Sequence, residues 1–262
     1  MTTSTTGIVE TIMEQSANRL AGRLALVTGA SKGIGASIAV RFAAEGAHVV
    51  LLGRNTNRLE AVDDKIQAMG GRATIVPADI SNSAVPSSLA RQIAERWGKL
   101  DILIANAGML GALSPVDHFD EEEWQRVFNV NLHANYRLLQ ALCPLLRESQ
   151  TGRVVTVSSG AAIKPRAFWG AYAASKAALE ALTLSFAHEN RAFGVYANIL
   201  SPGRIRTDMR AEAKPGEDPM TLPTGDAIAH EFVRLASADC DLSGQRVEAK
   251  PIAGWQTLFS ER

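Results

Sequence analysis

Cysteine is scarce in this chain: Cys143 and Cys240 are the only two in 262 residues. Two thiols cannot build a disulfide framework, and neither has metal-ligand spacing, so the chain reads as one from a reducing compartment, with both thiols expected to act as small buried hydrophobes. His48, His118, His133, His188 and His230 are scattered, so no metal site is expected. Net charge is missing as well. Twenty-seven basic side chains balance 27 acidic ones, which removes the electrostatic footprint of a nucleic-acid or anionic-membrane partner. No apolar run reaches the length of a membrane span, and a cytoplasmic protein is expected. Nor is a targeting leader expected: residues 1–18 are threonine-rich, then carry Ile8, Val9, Ile12 and Met13 with Glu10 and Glu14 between them, and the first basic residue is Arg19. That stretch is expected to be a mobile tail or a short docked helix before one domain over 19–262.

What is present is a regular alternation. With 46% hydrophobic and 21% charged residues the composition is that of a soluble globular chain. Apolar runs at Leu24–Val27, His48–Leu52, Ala73–Val76, Asp101–Ala105, Arg153–Val157 and Val195–Leu200 read as strands, and a short one falls near Gln245–Val247. Between them lie helical patterns: Ile38–Ala44, Leu59–Met69, Leu89–Trp97, a long one from Trp124 through Leu132 to Leu146, another from near Trp169 to Phe193, and Ala227–Ala236. Asp120 with Glu123 fits a helix cap and first turn better than a catalytic carboxylate pair. Such alternation implies an α/β fold with a parallel sheet of about seven strands, covered on both faces by right-handed crossovers. The proline-rich stretch between Thr207 and Thr224 reads as a loop or lid, about 208–223.

Two stretches carry chemistry. Thr28-Gly29-Ala30-Ser31-Lys32-Gly33-Ile34-Gly35 joins the first strand to the first helix. Its glycines let the backbone turn sharply and approach an anion closely, while the unpaired amides of a helix start point at phosphate, so it is a candidate dinucleotide site. Tyr172-Ala-Ala-Ser-Lys176 puts a phenol and an ammonium on one helix face. A neighbouring cation favours phenolate, which would poise Tyr172 for general acid/base work.

These motifs, in order, resemble the short-chain dehydrogenase/reductase family from about Leu24 to Val247. Thr28–Gly35 matches T-G-x-x-x-G-x-G, Asn106-Ala107-Gly108 matches N-A-G, and Asn131 matches the family's helix Asn. Ser159 with Tyr172 and Lys176 matches its S and Y-x-x-x-K, and Pro202-Gly203 with Thr207 matches P-G-x-x-x-T. The resemblance implies a single doubly wound Rossmann-type domain and an NADP(H)-dependent enzyme acting on a small carbonyl or alcohol substrate. In it Tyr172 protonates the carbonyl oxygen as hydride arrives, Ser159 holds that oxygen, Lys176 binds the nicotinamide ribose and holds the Tyr172 pKa down, and Asn131 positions a water in a relay to Lys176. Ser159 is preferred over Ser158 because the family's Ser stands thirteen residues before its Tyr. The implied cofactor-binding residues are Gly29, Ser31, Lys32, Gly33, Ile34, Gly35, Arg54 and Asp79 on one side. Asn106, Ala107, Gly108, Tyr172, Lys176, Pro202, Gly203, Ile205 and Thr207 complete the set. A homo-oligomer, dimer or tetramer, is implied by the same analogy.

The end of the second strand bears on cofactor choice. An acid there accepts from both adenosine ribose hydroxyls and repels a 2′-phosphate. Here Gly53 stands at that position, followed by Arg54, where NADP-using members carry a basic residue, and Lys32 is a second such position. NADP(H) is therefore expected. The chain departs from the family's pattern at Ala105, which often is a second Asn, and at Glu248-Ala-Lys-Pro251, where Pro251 cannot donate to a sheet ladder. Phe168 and Trp169, and more distantly Met109, Leu110 and Met209, are candidates for a substrate wall. A 3-oxoacyl thioester reductase, an NAD-dependent alcohol dehydrogenase and a non-catalytic NADP(H)-binding regulator remain alternatives.

Overall fold

The computed structural model describes residues 18–258, so the expectation for the tail falls outside the described residues. In chain order the first half comprises β1 (Leu24–Thr28), α1 (Gly33–Ala44), β2 (His48–Gly53), α2 (Thr56–Ala68), β3 (Arg72–Pro77), α3 (Val85–Trp97) and β4 (Ile102–Ala105). The second half comprises α4 (Glu121–Phe128), α5 (Ala134–Glu148), β5 (Arg153–Val157), α6 (Gly170–Asn190), β6 (Tyr196–Ser201), α7 (Asp208–Ala213), α8 (Ala229–Ala236), β7 (Arg246–Glu248) and α9 (Trp255–Leu258). All pairings are parallel and the sheet order is β3-β2-β1-β4-β5-β6-β7. The order reverses between β1 and β4, which opens a crevice above their carboxyl ends. Among the described residues no helix is long and apolar enough to cross a membrane.

Side chains alternate across each strand, and the sheet divides the core accordingly. Ala25 and Val27 of β1, Val49 and Leu51 of β2, and Ile102 and Ile104 of β4 point to one face, where they meet Ile38 and Phe42 of α1, Ile66 of α2 and Phe232 of α8. Leu24 and Leu26, Val50 and Leu52, and Leu103 point to the other face, against Ile93 of α3, Leu138 and Leu142 of α5 and Phe186 of α6. Each of these large side chains contributes roughly 1.5–3 kcal/mol by leaving water, so the sheet is a rigid platform for whatever sits at its rim.

Three local features differ from the sequence reading. The long helix expected from Trp124 to Leu146 is interrupted by a π-helical turn at Asn129–His133, which adds a residue and rotates Asn131 inward. The stretch after Thr207 is not irregular: it forms α7, capped by the Thr207 hydroxyl accepting from the Arg210 amide, and a 3-10 turn at Pro219–Thr221. Arg210 forks onto Glu217, and the Arg206 amide donates to the Pro223 carbonyl at 2.8 Å, so the segment is stapled at both ends. Cys143 is half-buried rather than buried, and its thiol donates to Asn190 Oδ1 at 3.2 Å. Asp120 caps α4 as expected, accepting from the Glu123 amide at 2.8 Å. The Glu123 carboxylate turns away to hold the Ala112 amide at 3.1 Å and to pair with Arg126.

Candidate active site

The carboxyl ends of β1, β2, β4, β5 and β6 open into one cleft of about 1430 Å³. At its β1 end Gly29 has φ of +65°, a left-handed conformation that disfavours a Cβ. Gly35 lies in the first turn of α1, where a Cβ would stand 2.2 Å from the Gly29 carbonyl oxygen and 2.5 Å from Asn106 Nδ2. Helix and turn thus meet over bare backbone. The α1 N-cap, Lys32, makes no side-chain cap bond and the first turn holds no acid, so its amides can serve an anion. An uncapped helix start behind a cradle that one methyl would fill fits the pyrophosphate of a dinucleotide.

Buried Thr28 joins this turn to the next strand. Its hydroxyl donates to the Ile104 carbonyl at 3.2 Å and accepts from the amides of Asn106 and Ala107 at 3.0 and 2.9 Å. Asn106 Nδ2 in turn donates to the Thr28 carbonyl at 2.9 Å. Asn106, Ala107 and Gly108 are fixed as one wall of the cleft. Gly108 lies between two polar groups: a Cβ there would be 3.2 Å from Asn131 Oδ1 and 3.3 Å from Lys176 Nζ.

Beyond Gly108 the floor of the cleft is built by β5 and α6. Ser159, just past β5, is half-buried and lines the cleft, whereas Ser158 is buried and donates to the Glu180 carboxylate. Tyr172 and Lys176 line the same floor, 8% and 4% exposed. Lys176 Nζ donates to the Val157 carbonyl at 2.8 Å and stands 5.9 Å from the Tyr172 ring centre. Burial pulls the Lys176 ammonium down to about 8, against the Glu180 carboxylate, which raises it. Burial pushes the Tyr172 phenol above its ordinary value, and hydrogen bonding to Ser159 pulls it back in part. The expectation that Tyr172 is held down is thus corrected: desolvation outweighs the favourable contacts.

The walls beside Tyr172 are apolar. Leu110, Ala161 and Ala213 pack around it, with Trp169 and Met209 against them. Trp169 meets the Tyr172 ring edge-on at 5.8 Å. Its placement depends on Phe168, whose φ of +73° is in the left-handed region, a strain of about 1 kcal/mol or more for a non-glycine residue. Phe168 itself points outward, 55% exposed, while its carbonyl accepts from the Ser114 amide at 3.1 Å. Of the two aromatic wall candidates only Trp169 lines the cleft.

The remaining expected residues are brought to the same cleft, with two changes of partner. Ser31, Lys32, Gly33, Ile34, Arg54, Asp79, Pro202, Gly203, Ile205 and Thr207 all line it. Asn131 is fully buried: Oδ1 accepts from the Met109 amide at 2.8 Å, and Nδ2 donates to the Met109 carbonyl and to Ser175 Oγ. With its side-chain amide bonded to Met109 and Ser175, Asn131 clamps the loop after Gly108 beside Lys176. Lys32 pairs with Asp208 at 2.6 Å, tying the glycine turn to α7. Arg54 lies 3.9 Å from Asp79, and both are exposed enough for the pair to contribute little. Burial pushes the Asp79 carboxyl up, but hydrogen bonds from Ser81 and the charge of Arg54 leave it below its ordinary value. Arg58, which belongs to none of the motifs above, also bears on this rim: after Lys32 it helps hold Asp208 ionised. Among the described residues no cluster of three or more His, Cys, Asp or Glu could hold a metal.

The family model described as short chain dehydrogenase matches residues 23–218. The chain belongs to the short-chain dehydrogenase/reductase family. An Escherichia coli (strain K12) relative named uncharacterized oxidoreductase YciK is 40% identical over 233 residues, covering 87% of this chain and 92% of that one. A solved short chain dehydrogenase from Salmonella enterica subsp. enterica serovar Typhi str. CT18 is 37% identical, covering 89% of this chain and 98% of its own with a TM-score of 0.86. Another, from Escherichia coli CFT073 and complexed with NADPH, is 39% identical, covering 89% and 99% with a TM-score of 0.84. The chain is therefore a family oxidoreductase with the doubly wound fold expected of it.

Proposed function

We propose that the protein interconverts a carbonyl and an alcohol with NADP(H), using Tyr172 as general acid/base. What carries this reading is the meeting of Ser159, Tyr172 and Lys176 on the floor of one cleft whose far end is the glycine cradle. Gly29, Ser31, Gly33, Ile34 and Gly35 would hold the pyrophosphate, with Asp79 and Arg54 at the adenosine end. Asn106, Ala107, Gly108, Lys176, Pro202, Gly203, Ile205 and Thr207 would hold the nicotinamide half. When bound, the cofactor's nicotinamide exchanges a hydride with the substrate carbon.

In reduction, the Ser159 hydroxyl donates a hydrogen bond to the substrate oxygen and Tyr172 gives that oxygen its phenolic proton. The carbonyl π bond is replaced by one C–H and one O–H bond. The raised phenol favours the protonated, donating form in the resting chain. Lys176, with an ammonium near 8, stabilises the phenolate left behind and can return a proton at neutral pH. Asn131 acts by fixing the Met109 backbone above this floor. Leu110, Trp169, Met209 and Ala213 would receive an apolar substituent on the carbonyl carbon, and residues 208–223 would cover it. A cytoplasmic homo-oligomer completes the reading.

Preference for NADP(H) rests on the absence of an acid at Gly53 and the nearness of Arg54. The NADPH-complexed relative supports it. Lys32 and Arg54 are each paired with an acid, Asp208 and Asp79, in exposed pairs that cost little to exchange, so both cations would serve the phosphate. Arg54→Ala should weaken NADPH binding by about tenfold or more, the scale of one charge-assisted contact, and leave NADH binding nearly unchanged. Dissociation constants from nucleotide fluorescence check this; equal affinity of the unaltered protein for NADH and NADPH would refute it.

A further inference from the structure

Three consecutive residues at the end of β5 are each held from behind. The Val157 carbonyl accepts from Lys176 Nζ at 2.8 Å, the Ser158 hydroxyl donates to Glu180, and the Ser159 carbonyl accepts from Arg246 Nη2 at 3.3 Å. The last two holders are themselves joined, Arg246 Nε to Glu180 Oε1 at 3.0 Å, with side chains 19% and 13% exposed. Arg246 comes from β7 and also pairs with Glu248. Glu180 is one helical turn beyond Lys176 and so shares its face of α6. No motif of the sequence reading includes either residue.

We propose that the Glu180–Arg246 ion pair is a positioning device for the reaction, fixing the strand end that presents Ser159 and setting the electrostatic field at Lys176. It rests on the role proposed above for Ser159, Tyr172 and Lys176. A planar guanidinium suits the task because its fork serves a carboxylate and a carbonyl at once, which an ammonium cannot do in one plane. The pair is mostly out of solvent, so its charges are weakly screened. Lys176 stands beside the Tyr172 ring and is acted on by the Glu180 charge, both from α6, and Glu180 is in turn paired with Arg246 of β7, which also holds Glu248. From other elements the Asn131 amide, across Gly108, and the Val157 carbonyl lie beside it. Glu180 opposes the effect of burial on Lys176, and Arg246 tempers Glu180.

Opposite substitutions should therefore move the same titration in opposite directions, which mere loosening of the fold would not do. The midpoint of the alkaline fall is read in kcat/KM and, independently of turnover, in NADPH affinity. Glu180→Gln should lower it by about one pH unit, because a carboxylate near an ammonium favours the charged form. Arg246→Gln, which leaves the carboxylate unopposed, should raise it, and Glu180→Asp should return it toward that of the unaltered chain. Midpoints that stay put, or that move the same way in Glu180→Gln and Arg246→Gln, overturn the proposal. If Glu180→Gln fails to fold, Arg246→Gln decides alone: a rise supports the device, and no change or a fall overturns it. Tyr172→Phe, run in parallel, separates the two claims, since retained turnover there removes the catalytic reading while unmoved midpoints with Tyr172→Phe inactive remove only this one.

Discussion

Tyr172→Phe should lower turnover by at least about 100-fold, the usual scale of general acid catalysis, while NADPH still binds. The substitution removes one oxygen from a ring that is 8% exposed and packed among Leu110, Ala161 and Ala213. The ring contact with Trp169 survives, so the fold should be intact and the melting temperature close to that of the unaltered chain. Burial already raises the phenol, so losing the hydroxyl removes a proton donor and relieves no buried charge. Initial rates and thermal melts on the same preparation check both halves. Near-normal turnover would move the proton donor elsewhere.

Gly35→Ala should damage the other end of the cleft. The added methyl would enter within 2.2 Å of the Gly29 carbonyl oxygen and 2.5 Å of Asn106 Nδ2. Neither can withdraw cheaply, since one is backbone and the other is committed to the Thr28 and Gly29 carbonyls. Helix α1 must back away from the turn, at a cost of about 1–3 kcal/mol, the usual range for overpacking. The amides facing the pyrophosphate then move off their places, and NADPH affinity should fall by about tenfold or more, the scale of one lost charge-assisted contact. Gly216→Ala is the control, because a Cβ there meets nothing within 4 Å. Urea unfolding and nucleotide titration of both variants check the contrast; equal stability and affinity in Gly35→Ala would contradict it.

Much of the platform was legible in the chain because strand burial leaves continuous apolar runs: Arg153–Val157 was readable to the residue, and the other strands to within about one. The cleft was legible because glycine at Gly29 and Gly35 records a geometric need, and because Tyr172 and Lys176 are spaced by the helix period. What escaped reading depends on contacts distant in sequence. The π-helical turn at Asn129–His133 is held by Asn131 reaching Met109 and Ser175 across 22 and 44 residues, and no local pattern encodes that. Lys32 carries an obvious charge, but its partner Asp208 lies 176 residues away and decides whether that charge is free. The helices after Thr207 were hidden by Pro215, Pro219 and Pro223, which flank or start turns without preventing them. Glu180 did have a local signal, four residues past Lys176, and only its link to Arg246 needed the fold.

The most direct measurement follows the hydride and the proton together. NADPH deuterated at the transferring position of the nicotinamide is incubated with the protein and a panel of apolar ketones, diketones and acyl thioesters, and the alcohols are analysed by mass spectrometry. Deuterium is expected at the carbinol carbon of at least one product, with its formation lost in Tyr172→Phe although that variant still binds NADPH. Deuterated alcohol formed equally well by Tyr172→Phe would contradict it, as would a protein that does not bind NADPH.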